Sequence, residues 1–420
     1  MAAEATKPSL RRDLGLPDAV AVGLGAIVGA GLFVVTGAAA RVAGPAFLVG
    51  LVLAGAAAAC NALSSAQLAA RYPQSGGAYE FGCVVLHPWA GFAAGFLFLA
   101  SKLSAGGAVA LGFAGYFAAL VPGLPPRVVA VAAVAVLTAV NLLGVRKAGR
   151  LNTGIVAVTV LSLLVFVACA LPRFDPARLT PFAPAGCRGV LESAALLFFA
   201  YTGYARLATL GEEVTDPRRT IPRAIVLSLA LAAGLYVVVS LAAVGLIGAG
   251  AMANSPSPIL AAAEALPSRW VGPVTAVGAA SAMLGVLLSQ LLGVSRMAFA
   301  MARRGDLPPA LAHVHPRTGV PDRGVVLAGC AAAALAWWGA LQTITAAASF
   351  TILLYYGITN LAALRMPRAD KLYPDAVAAL GLAACLLLAA ALPWPVIGVG
   401  LAGLAAGFVL RAVFRAVSRR

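Results

Sequence analysis

Twelve apolar runs, near 18–40, 46–70, 89–120, 127–144, 151–171, 189–210, 221–250, 271–301, 324–341, 344–364, 375–393 and 395–412, are separated by short polar connections. Each meets or approaches the ~20 apolar residues that cross a bilayer as helix. The pattern therefore predicts an all-α polytopic membrane protein with 12 transmembrane helices, plus a short outer helix over 256–266. Residues 1–15 form a polar tail carrying Lys7, Arg11 and Arg12, and 413–420 form a second one. The first run has no separate short apolar region with a cleavage site, so it is read as a retained span.

Two of the runs are interrupted at mid-depth. The first contains Val28-Gly29-Ala30-Gly31-Leu32-Phe33, and the sixth contains Phe198-Phe199-Ala200-Tyr201-Thr202-Gly203-Tyr204. Each glycine inside a helix costs about 1 kcal/mol relative to alanine, so such places favour opening of the helix. Opened backbone in hydrocarbon must be satisfied by protein, water, an ion or a ligand. Interrupted helices in corresponding places of two halves are a pointer to the central site of a secondary transporter. The competing reading of the first cluster is close helix packing, because Gly25 and Gly29 form a small-xxx-small pair.

Composition agrees with the membrane reading: 62% of the 420 residues are hydrophobic and 10% charged, with a mean hydropathy of +0.96. A net charge of +16 raises the question of nucleic acid. The basic residues, however, lie between the spans instead of forming one patch. With the amino terminus inside, the outer loops hold only Arg41, Arg127, Arg173, Arg178, Arg188 and Arg269, while most of the 30 Lys and Arg fall on the cytoplasmic side. That bias places both termini in the cytoplasm.

Catalytic chemistry has no visible basis in the chain. Cys60, Cys83, Cys169, Cys187, Cys330 and Cys385 are scattered with no CxxC pair and no metal-ligand spacing. No phosphate-binding glycine loop is present, and His87, His313 and His315 fall in predicted loops. Neither an enzyme nor a cofactor or metal site is expected.

Three connections carry a family signature. Residues 66–81, with Arg71-Tyr72-Pro73-Gln74-Ser75-Gly76-Gly77-Ala78-Tyr79-Glu80-Phe81, resemble the loop after the second helix of the amino acid–polyamine–organocation (APC) superfamily. Residues 211–225, with Glu212-Glu213-Val214-Thr215-Asp216-Pro217-Arg218-Arg219-Thr220-Ile221-Pro222-Arg223, are similar to its loop after the sixth helix. Residues 293–308, with Ser295-Arg296 and Ala302-Arg303-Arg304-Gly305-Asp306-Leu307-Pro308, resemble its eighth-helix ending. Read without the family, the charges at 212–223 are helix caps and solvated ion pairs, with Pro222 suited to a first helical turn.

The resemblance implies a LeuT-type 5+5 inverted repeat plus two peripheral helices: repeat one over 16–171, repeat two over 189–364, and peripheral helices over 375–412, in one transporter domain spanning 16–412. It implies that Ile27, Gly29, Ala30 and Gly31 of the first helix and Phe199, Ala200, Thr202 and Gly203 of the sixth line the substrate site. There the half-helix N–H groups at Gly29, Ala30 and Gly31 suit a carboxylate, and the carbonyls near Phe199, Ala200 and Thr202 suit an α-ammonium. Phe199 falls at the aromatic position that lids the substrate in relatives.

This chain departs from the family at two places. Relatives with a proton-linked Lys on helix five carry it seven residues after an Asn like Asn152, and that position here is Thr159. The acidic residue that many relatives carry after the sixth-helix glycine is here Ala205. Instead Lys102 stands 13 residues past Trp89, about 20 Å along a helix and so deep in a ~30 Å core. A charge there costs on the order of 2.5–3.5 kcal/mol, which marks it as a functional candidate. Arg206, Tyr204 and Thr159 are the further coupling or gating candidates; Arg206 could also snorkel toward the inner surface.

The expectation is a secondary amino acid permease of the cytoplasmic membrane, working by proton symport or exchange, with the amino acid, protons and lipid as its partners. No Asp or Glu lies in the middle of a span, so neutral amino acids come first and acidic ones second. The alternatives are an acidic amino acid or amine transporter of the same fold, a non-transporting nutrient sensor, and a channel.

Overall fold

The computed structural model describes residues 15–29, 31–72, 76–143, 148–209 and 214–417; within these, the side chains at 148–153, 205, 206, 208, 209, 217, 218, 416 and 417 are not described. The described chain is helical, with no strand. In order it runs α1 (Leu16–Ile27), α2 (Thr36–Ala43), α3 (Phe47–Arg71), α4 (Ala78–Phe81), α5 (Pro88–Leu120), α6 (Pro126–Leu142), α7 (Ala148–Ala170), α8 (Gly186–Tyr201), α9 (Pro217–Asn254), α10 (Pro258–Glu264), α11 (Val271–Arg303), α12 (Asp322–Trp338), α13 (Leu341–Arg365), α14 (Asp375–Ala390) and α15 (Trp394–Val417). Every apolar run of the sequence falls on helix, the first on α1 and α2 together, and the predicted outer helix is α10. Among the described residues, seven helical stretches are long and apolar enough to cross a membrane, and α6 and α14 are shorter apolar helices.

Proline starts several of these helices, as Pro88, Pro126, Pro217 and Pro258 show, because its missing N–H is one that a first turn leaves unbonded anyway. The start at Pro217 corrects one expectation. Pro222 lies inside α9 and not in its first turn, since the helix begins five residues earlier, after Asp216 in a left-handed conformation at φ 47°.

α5 and α11 pack together at the centre, with α13 on α5 and α7 on α11. α1 and α2 lie on α9, and α3 lies on α8. Small residues line these contacts: a methyl on Gly107 of α5 would stand 2.8 Å from the Leu335 side chain of α12, and one on Gly95 2.7 Å from Met301 of α11. Large apolar side chains such as Val136, Leu161, Leu231, Leu380 and Val399 point outward, as suits helices whose solvent is lipid.

Candidate substrate site at two helix breaks

The first run opens where the glycines foretold. The last α1-type bond runs from the Val28 N–H to Leu24 O at 2.8 Å, and Val28 is then extended at ψ 107°. The chain re-enters helix over Gly31–Val35 in a wide turn whose Leu32 and Phe33 N–H groups both reach Gly29 O, at 3.1 and 3.4 Å. Ala30, in the middle of the break, lies outside the described residues.

α8 ends at Tyr201, and the chain tightens into narrower turns over Thr202–Thr209. Thr202 marks the change. Its hydroxyl donates back to Phe199 O at 3.0 Å, and Thr202 itself is buried.

The fold presses the two breaks against each other. A methyl added to Gly31 would overlap the Ala200 Cα and Cβ, and one added to Gly203 would overlap the Ala26 carbonyl. Gly29 approaches Val286 of α11 in the same way. Glycine is therefore required here for close approach as well as for opening the helix. Ile27, Phe199 and Ala200 are all buried at this contact.

A residue that sequence reasoning missed ties the breaks together. The Tyr236 hydroxyl, from α9, lies 2.7 Å from Ile27 O and 3.2 Å from Ala200 O, so it donates to carbonyls of both opened helices. The carbonyls of Phe199 and Ala200, expected to be free for a ligand, are thus already engaged by protein, Ala200 O by Tyr236 and Phe199 O by Thr202. Each carbonyl has a second lone pair for a further donor. Tyr116 does similar work above the first break, donating to Phe33 O at 2.6 Å. The available signal was a phenol in the middle of an apolar run, which needs a partner when buried.

Lys102 also comes to this place. It is buried, 9% exposed, and its Nζ donates to Thr202 Oγ1 at 3.3 Å, with the Phe98 ring 5.9 Å away. Thr159 donates to Gly278 O at 3.2 Å and lines a cleft too narrow for a water molecule with Gly25, Val28, Ile155, Val156 and Val160. Tyr204 is buried, with its ring 5.3 Å from that of Tyr356. The Arg206 side chain lies outside the description, as do Glu212 and Glu213.

Two of the three signature connections meet elsewhere in the molecule. Tyr79 donates to Asp306 Oδ2 at 2.8 Å, and Glu80 pairs with Arg304. α15 joins them unexpectedly, because Arg411 Nε and an Arg415 guanidinium nitrogen reach Asp306 Oδ1 at 2.8 and 3.0 Å. Arg411 is 1% exposed, with its guanidinium 4.8 Å from the ring centroids of both Trp89 and Phe92.

Comparisons with known proteins show the family. The family model described as amino acid permease matches residues 18–412. An uncharacterized transporter of Mycobacterium tuberculosis is 43% identical over 98% of this chain and 93% of its own length. The branched-chain amino acid permease of Bacillus subtilis is 33% identical over 76% of this chain and 73% of its own. Human cationic amino acid transporter 4 is 34% identical over 83% of this chain and 58% of its own. With a family match across nearly its whole length and relatives that are transporters and not enzymes, the chain belongs to the amino acid permeases of the APC superfamily.

Proposed function

We propose that this permease is a secondary transporter of the cytoplasmic membrane with both termini inside, moving amino acids that lack a cationic side chain by alternating access. The observation that carries this reading is Tyr236 bonding Ile27 O and Ala200 O. Two interrupted helices facing each other at mid-membrane depth give one place where backbone N–H and C=O groups can both meet a zwitterion.

The packing supports twelve spans arranged as two repeats of five with α14 and α15 outside. α5 packs on α13 as α7 packs on α11, α5 on α12 as α6 on α11, and α3 on α8 as α9 on α1 and α2. Shifting each partner by five spans converts the first contact of every pair into the second. An inverted repeat requires that exchange.

In this reading Gly29, Ala30 and Gly31 present N–H groups to the substrate carboxylate, and the carbonyls of Ile27, Phe199 and Ala200 face its ammonium. Gly203 provides the close approach and Thr202 relays Lys102 to the break. Lys102 supplies the positive charge that Thr159 does not, while Tyr204 and Arg206 belong to the gate. The relatives' names span branched-chain and cationic amino acids, so they do not choose the side chain. Uptake of radiolabelled amino acids into proteoliposomes, with and without internal substrate and a proton gradient, tests the reading and separates exchange from symport. Absence of uptake and counterflow for every amino acid would overturn it.

A further inference from the structure

Four charged side chains are buried among the described residues: Glu80, Lys102, Asp306 and Arg411. Glu80 pairs with Arg304 and Asp306 with Arg411, so three of the four have a partner of opposite charge. Lys102 has none among the described residues; its bond is to the neutral Thr202 hydroxyl. Among the described residues the acid nearest Thr202 in sequence is Glu192, ten residues off and about 15 Å away along α8 at helical rise. A charge held at depth is costly unless something compensates it, which makes it a functional candidate.

The position of the ammonium says what must compensate it. Lys102 donates to Thr202, which donates to Phe199 O, so its charge stands at the carbonyl end of α8, two residues from the Ala200 that Gly31 touches. Carbonyl ends attract cations, so Lys102 shares this end with the substrate's α-ammonium. A neutral amino acid brings one ammonium and one carboxylate and leaves the Lys102 charge unpaired. A cationic one leaves two positive charges unpaired. An amino acid with a second carboxylate leaves none.

We infer that the substrate is a dicarboxylic amino acid whose side-chain carboxylate pairs with the Lys102 ammonium at the α8 break. This rests on the permease reading above and reverses the sequence's order of neutral before acidic; the bond to Thr202 that puts the Lys102 ammonium at the α8 break was not visible in the sequence. The chemistry is that of charge-assisted hydrogen bonds from an ammonium to a carboxylate, which a side-chain amide of the same shape meets only weakly.

Glutamate and glutamine make the test, because they differ at that one group. Purified protein in proteoliposomes is expected to take up labelled glutamate or aspartate at least tenfold faster than glutamine or leucine. In Lys102→Met the preference for the acid collapses to within about twofold of glutamine, a loss of roughly 1 kcal/mol or more of discrimination on the scale of 1.4 kcal/mol per tenfold. Lys102→Arg restores part of it. Parent protein that moves glutamine as well as glutamate overturns the inference while leaving the permease reading intact, and so does a folded Lys102→Met that keeps the acidic preference. If correctly reconstituted parent protein moves no amino acid of any charge, the permease reading falls and this one with it. Should Lys102→Met fail to fold, the parent's glutamate-to-glutamine ratio alone decides.

Discussion

Gly31→Ala is the smallest change that should separate the two breaks. The new methyl would overlap Ala200 Cα and Cβ and stand 3.1 Å from Ala200 N, none of which a side-chain rotation can move away. Carbon atoms rest at about 3.5–4.0 Å, so α8 and the Gly31 turn must part by ~1 Å or more. That movement also stretches the bonds from Tyr236 to Ile27 O and Ala200 O, at 2.7 and 3.2 Å. Overpacking of this kind costs about 1–3 kcal/mol, equivalent to roughly a fivefold to 150-fold loss in an equilibrium constant. Substrate affinity of the detergent-purified variant, measured by scintillation proximity, is expected to fall by that factor, with the melting temperature lowered and the protein still inserted. Gly234→Ala is the control: nothing lies within 4 Å of the added methyl, and helix propensity favours alanine by about 1 kcal/mol. If Gly31→Ala binds, transports and melts like the parent, the two breaks do not touch at Gly31 and the site is elsewhere.

Tyr236→Phe removes the hydroxyl between the breaks and leaves buried carbonyls short of a donor, so transport should slow by about fivefold or more on a cost of about 1–3 kcal/mol, read as initial uptake rate at equal reconstituted protein. Asp306→Asn leaves the 1%-exposed Arg411 without its carboxylate and should destabilise by about 3–5 kcal/mol, whereas Asp306→Asn with Arg411→Leu should recover much of the lost melting temperature. On the surface, the hydrogen bond from His313 holds the Asp322 carboxyl below the usual carboxylate range. A depressed carboxyl stabilises above its unfolded pKa of about 3.9 and ceases to as the pH falls through the lower folded value. Any melting-temperature difference between the parent and Asp322→Asn at neutral pH should therefore vanish under strong acid.

The breaks were legible because glycine and position along the run both register in sequence. Val28 and Thr202 are where the helices give way, and Gly29, Gly31 and Gly203 are where they touch. What could not be read is which face of a helix meets which neighbour. Tyr236 looks like any core aromatic until the fold sets its hydroxyl between Ile27 O and Ala200 O. Arg411 stands near the end of its run, where a sequence shows one more basic residue beside a polar tail, yet α15 turns it onto Trp89, Phe92 and Asp306. Lys102 was legible as a charge at depth, whereas its bond to Thr202 and its lack of an ion pair among the described residues required the fold.

On the proposed function, amino acids cross the membrane by way of the contact between Gly31 and Ala200. Counterflow decides it most directly: proteoliposomes loaded with unlabelled glutamate and placed in trace labelled glutamate should accumulate label transiently above equilibrium. Vesicles carrying Gly31→Val at equal protein should show no more than empty ones. Accumulation of label by Gly31→Val at the parent's rate, or its absence from parent vesicles across all the amino acids, would contradict the claim.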